Sequence, residues 1–176
     1  MKFFYVLLLA FALLGAGCKK ESITADDLPP ITQTGANTFG CLINGKAFIT
    51  DAYAGTSSAL AVEFDKGELR LQIHASNKKL TPLPVITIAA EGIEISSGIT
   101  YKLYTQSTLN AASASYFTLR QGNSKQYDIS ASSPGILKIT KFDATQKIIS
   151  GTFAFDAVTE DGKKAAITEG RFDLKY

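Results

Sequence analysis

One cysteine stands in a context that specifies its chemistry. Leu14-Gly15-Ala16-Gly17-Cys18 closes an apolar run, residues 3–14, of 12 residues. A thiol there can take a diacylglyceryl group as a thioether, and the small residues Ala16 and Gly17 admit a peptidase that cuts just before it. Gly15 stands where a branched aliphatic is usual, with Leu13 and Leu14 immediately upstream. A single positive charge, Lys2, precedes the run, which is too short for a spanning helix of about 20 residues. Residues 1–17 thus read as a signal peptide cleaved between Gly17 and Cys18, with Cys18 as the lipid-attachment site. The alternatives are ordinary secretory cleavage, which leaves a free thiol, and an uncleaved anchor.

Other chemistry-bearing residues are sparse. Two cysteines occur in the chain, and if Cys18 becomes a thioether, Cys41 has no disulfide partner. Cys41 shares a face with Phe39 and Ile43, so a buried small hydrophobe is expected rather than a reactive thiol. His74, the single histidine, alternates with Arg70 and Gln72 opposite Leu69, Leu71 and Ile73, which places it on a solvated face. Alone it makes neither an ordinary zinc site nor a Ser-His-Asp triad. No phosphate-cradling glycine-rich string is present. Glu63, Glu68, Glu91, Glu94, Asp156 and Asp173 could in principle supply a glycosidase dyad about 5–9 Å apart, but turns and wet strand faces account for each. Asp26-Asp27 and Thr159-Glu160-Asp161-Gly162 lack the regularly spaced third ligand of a calcium loop. The expectation is no catalytic residue, no metal and no cofactor. Tyr104 and Tyr116 fall opposite the Ile99/Tyr101/Leu103 and Phe117/Leu119 stripes. They are the exposed aromatic candidates for stacking a sugar ring, with ordinary strand-surface tyrosines as the plainer alternative.

The elements that must position these residues are almost all strands. Removing residues 1–17 leaves 159 residues, one domain's worth. Loss of Lys2 leaves 17 Lys+Arg against 16 Asp+Glu, interspersed without a run, so no electrostatic footprint for nucleic acid exists. Residues 18–37 are polar and aperiodic, with Pro29-Pro30 in the middle, and read as a lipidated N-terminus and flexible tether. Residues 38–176 read as one domain. Alternation over Thr38–Ile43 and residues 46–50 flanks Asn44-Gly45, a strong two-residue hairpin signal. Further strands are expected around Leu60/Val62/Phe64, Leu69/Leu71/Ile73, and residues 85–90, 99–104, 116–120, 126–130, 136–142, 148–158 and 165–176. Residues 105–113 could be a helical turn or a loop. In the last pair, Phe153 is expected opposite Gly170 and Gly151 opposite Phe172, so that each ring lies over a glycine. Thr152 with Arg171, and Ser150 with Asp173, then meet on the wet face. Short strands between turn residues predict an all-β fold, an antiparallel β-sandwich of roughly ten short strands. A closed or partly open barrel is the alternative, because apolar alternation is alike in both.

Asn37-Thr38-Phe39-Gly40-Cys41-Leu42-Ile43-Asn44-Gly45-Lys46 near the start, with Ile148-Ile149-Ser150-Gly151-Thr152-Phe153-Ala154-Phe155 and Thr168-Glu169-Gly170-Arg171-Phe172-Asp173 near the end, resembles a family of small uncharacterised Bacteroidota lipoproteins. The resemblance covers both ends of the domain and implies an all-β, lipid-anchored envelope protein with no catalytic residues to carry over. In that group an acidic run after the lipidated cysteine accompanies surface display. Lys19-Lys20-Glu21 stands here instead, leaving both faces of the outer membrane open, while Lys19 argues against inner-membrane retention. The expected function is a non-enzymatic binding or scaffold module, its partners the membrane through the lipid and a glycan or envelope protein. A carrier of a small apolar ligand in a barrel and a carbohydrate-active enzyme are the alternatives.

Overall fold

The computed structural model describes residues 25–50, 59–105 and 110–176. Gly17, Cys18 and the signal segment lie outside the described residues, as do 106–109 of the stretch that the sequence left open.

Turn chemistry sets the first strand pairs. Asn44 and Gly45 take φ of 50° and 76°, the left-handed pair that a two-residue hairpin needs. They join β1 (Thr38–Ile43) to β2 (Lys46–Ile49). β3 (Leu60–Asp65) and β4 (Arg70–Ser76) form the next hairpin, where Asp65 Oδ1 accepts from the Gly67 and Glu68 amides at 2.8 and 3.1 Å. β5 (Leu83–Glu91), β6 (Thr100–Tyr104), β7 (Ala111–Leu119), β8 (Lys125–Ile129), β9 (Gly135–Asp143), β10 (Ile148–Val158) and β11 (Lys164–Lys175) follow.

The eleven strands of the described residues join one sheet, ten of them in the order β2-β1-β11-β10-β9-β6-β7-β5-β4-β3. β8 bonds to both β7 and β10, which closes β7-β8-β10-β9-β6 into a five-strand ring. Within the ring β6 and β7 run parallel, and the other described pairings are antiparallel. Two wings leave the ring: β11-β1-β2 beyond β10, and β5-β4-β3 beyond β7. They bend toward one another, so that Phe64 of β3 meets the rings of Phe142 in β9 and Tyr176 after β11 at centroid distances of 4.9 and 5.3 Å. Leu71, Ile73, Ile86 and Ile88 from one side and Leu137, Ile139, Ile149 and Ile167 from the other are fully buried between them. Each such side chain contributes about 1.5–3 kcal/mol through burial. The expected all-β class is what the chain adopts, with eleven strands among the described residues against roughly ten. Its layers are made by bending one mixed sheet, with a partial ring where β8 bridges.

The β10–β11 pair has the register expected: Phe153 opposite Gly170, Gly151 opposite Phe172, Thr152 opposite Arg171 and Ser150 opposite Asp173. A Cβ on Gly170 would lie 2.6 Å from the Phe153 ring, and one on Gly151 2.7 Å from that of Phe172. Only glycine leaves the rings this room. A bulge then breaks the simple alternation. Glu169 has φ of 54° and the register shifts between Phe153 and Phe155, so Thr168, two residues before the buried Gly170, is exposed and Ile167 is buried.

Candidate functional site

The outer face of β9, β10 and β11 carries a segment that alternation alone would leave free. Residues 28–37 cross it. Leu28 is buried, and a Cβ on Gly40 would lie 2.7 Å from Pro29 Cδ, so glycine at 40 lets the segment lie flat on β1. Further on, the chain turns around the carboxylate of Asp173. Its Oδ2 accepts from Thr32 Oγ1 at 2.6 Å, Thr34 N at 2.9 Å, Thr34 Oγ1 at 3.2 Å and Ala36 N at 3.2 Å. Its Oδ1 accepts from Gly35 N at 2.8 Å and Ser150 Oγ at 2.7 Å. Lys141 Nζ donates to the Gln33 carbonyl at 3.2 Å, and the Lys175 amide to Asn37 Oδ1 at 3.0 Å.

Asp173 and Ser150, expected on a wet face, are consequently 1% and 0% exposed. Burial by itself would raise the Asp173 carboxyl. Hydrogen bonds from Thr32, Ser150, Thr34 and Gly35 outweigh it and hold the group well below the usual carboxylate range. The expected tether of residues 18–37 is therefore corrected over its second half: residues 28–37 are a strap belonging to the domain. No local signal announced this. A Thr/Gly-rich stretch offers hydroxyls and unpaired amides, but its acceptor lies about 140 residues away.

Beside the strap the same face is open. Ile31 and Ile136, 61% and 53% exposed, border one shallow hollow of about 180 Å³ with Thr152, Ala154 and Arg171. Register places Lys102 of β6 beside Ile136, and Lys138 beside Thr152, which in turn faces Arg171. Lys102 and Lys138 are exposed and form no ion pair among the described residues, whereas Arg171 meets Glu169 at 3.2 Å. Asp156, two residues beyond Ala154, is exposed at the rim.

The two tyrosines separate. Tyr104, half-buried, shares the alternation of Lys102 in β6 and keeps part of its ring accessible. Tyr116 does not: it is 7% exposed, its ring lies 4.8 Å from that of Tyr127, and burial, with Tyr127 and Cys41 nearby, pushes its hydroxyl up to about 12. The faces of β7 are reversed from the expectation, with Leu119 exposed and Ala112, Ala114 and Tyr116 inside. Ala112 and Ala114 lie beside Ala90 and Ile88 of β5, while Ser113 and Ser115 take the other face of the strand, so the polarity of its first half, not Phe117 and Leu119 at its end, marks the inner face. Tyr116 is corrected from a surface contact to a core residue.

Cys41 is a free, fully buried cysteine whose thiol is pushed far up by burial, in keeping with a small hydrophobe. His74 is exposed opposite Thr87, with 3.5 Å between its Nδ1 and Thr87 Oγ1. Of the six carboxylates, Glu63 and Glu68 meet at Arg70, 3.2 and 3.5 Å away. Asp173 is saturated by donors. Asp156 borders a hollow with Asp128, Asn44 and Lys164. A larger polar hollow of about 500 Å³ lies between Ser124–Asp128 and Thr159–Asp161. There Asp161 receives Lys125 Nζ at 2.7 Å and the Thr159 hydroxyl, bonds that lower its carboxyl to about 2. With its oxygens so occupied, the 159–162 turn closes on itself.

Fold and site together define a class: an all-β domain on one bent sheet, its N-terminal strap fastened by a buried carboxylate. A family model described as a domain of unknown function (DUF6252) matches residues 41–173, and the chain belongs to that family. No curated protein and no solved structure matches the chain.

Proposed function

We propose that this protein is a lipoprotein of the bacterial cell envelope, anchored through Cys18 after removal of residues 1–17, and that it acts as a non-enzymatic binding or scaffold module. Leu14-Gly15-Ala16-Gly17-Cys18, closing a 12-residue apolar run behind Lys2, carries the assignment. Lys19 after the cysteine favours the outer membrane, and the resemblance to Bacteroidota lipoproteins points the same way. Metabolic labelling with a clickable palmitate analogue tests it. The wild-type protein takes label and Cys18→Ser takes none; equal labelling, or none in the wild type, overturns it.

Two observations weigh against the alternative readings. The apolar side chains of both wings meet in one core cluster, which disfavours the apolar-ligand carrier. Asp173, the most perturbed carboxylate, spends its lone pairs on the strap, which disfavours a glycosidase dyad that uses it. A glycan is the second candidate ligand, because Tyr104, half-buried, shares the alternation of the exposed Lys102 in β6. A blank glycan array, or Tyr104→Ala binding as well as wild type, removes that candidate.

A further inference from the structure

We infer that the open part of the strapped face, Ile31 and Ile136 with Lys102 and Lys138, rests on an anionic phospholipid surface. This depends on Cys18 carrying the lipid. Seven residue steps separate Cys18 from Ala25, at most about 25 Å of extended chain. Residues 25–27 form a 3-10 turn beside β2, and from Leu28 the strap lies on the sheet. An anchor on Cys18 thus draws the domain close to the bilayer, and the strap holds its outer face on the side from which the anchor leaves. A freely swinging 20-residue tether would impose no such orientation.

The composition of the face fits that neighbour. Ile31 and Ile136 are the two most exposed large hydrophobic side chains among the described residues and they border the same hollow. Side chains of this kind enter the headgroup–acyl boundary of a bilayer. Lys102 and Lys138 flank them with free ammonium groups that attract anionic headgroups. Of the acids on this side, Glu169 is matched by Arg171, Asp173 is buried and saturated, Asp156 is exposed two residues beyond Ala154, and Asp26 and Asp27 are exposed in the turn that precedes the strap, at the β2 edge. Leu119 at the end of β7 and Leu80 in the turn before β5 are exposed apolar groups too, but no strap leads from them toward Cys18. Because the lipid already holds the protein at the surface, weak contacts suffice to orient it.

The test uses the full lipidated protein in vesicles of phosphatidylethanolamine and phosphatidylglycerol, with an environment-sensitive dye on Ile136→Cys or Ile31→Cys and, for the other wing, Leu119→Cys. All three sites are exposed, Cys41 is buried and the Cys18 thiol is acylated, so labelling is specific. Brominated lipids should remove most of the fluorescence at 136 and 31 and leave that at 119 unchanged. Lys102→Glu with Lys138→Glu should abolish the difference while the protein still floats with the vesicles. Flotation without quenching at 136 and 31, or with equal quenching at 119, overturns the inference and leaves the anchor standing. Crosslinking of this face to an envelope protein in place of quenching overturns it likewise. Failure to float overturns the anchor and the inference together.

Discussion

Two aspartates, Asp173 and Asp161, share a direction of pKa shift and little else. Asp161 is half-exposed at a turn, held by a lysine 36 residues away and by a threonine of its own loop. Asp173 is buried and collects donors from the strap and from Ser150. Solvent can replace the partners of Asp161 at once. Nothing replaces those of Asp173, and losing its charge leaves strap amides and hydroxyls without an acceptor. A depressed carboxyl is thus a statement about fold stability only where burial denies water the vacated bonds.

Variants can break this contrast. Asp173→Ala should have the largest effect, a loss of about 3 kcal/mol, seen as a fall of about 6–12 °C in Tm by calorimetry together with new protease sensitivity within residues 28–37. An unchanged Tm would refute the strap as a stabilising element. Gly170→Ala should cost about 2–3 kcal/mol by forcing a Cβ into the Phe153 ring, read as a lower urea midpoint with the m-value retained.

The acid limb of stability separates the two groups next. A carboxyl depressed in the folded state stabilises above its unfolded pKa of about 3.9, and that contribution drains away as pH falls through the folded value. Urea midpoints of the wild type should therefore drop between about pH 5 and pH 2. Asp173→Asn should flatten this limb, whereas Asp161→Asn should leave it steep. Lys125→Ala should have the smallest effect, a change in Tm that vanishes at high salt, as expected of an exposed pair.

Much of the frame was legible because it is written locally. Asn44-Gly45 dictates its hairpin, and the alternating glycines and phenylalanines of β10 and β11 admit one register. The inner face of β7 was harder to read, because Phe117 and Leu119 at its end point one way while Ala112 and Ala114, alternating with Ser113 and Ser115, point the other. Neither was the bulge at Glu169, a backbone choice without a glycine to mark it. The strap was hidden most completely. Its residues have no apolar period, and its acceptor looks like one more wet-face charge. Of the site candidates, Tyr104 is half-buried, Tyr116 lies in the core, and the lipobox lies outside the described residues.

Finally, the strap puts an order on assembly. Its acceptor stands about 140 residues downstream of it, and β1 also takes β11 as its neighbour. A polypeptide delivered amino end first therefore presents residues 25–43 long before their partners exist. During that interval residues 25–43 stand without their sheet partners, and the arrival of residue 173 ends it. Completion of the fold is a clock that closes on the N-terminus.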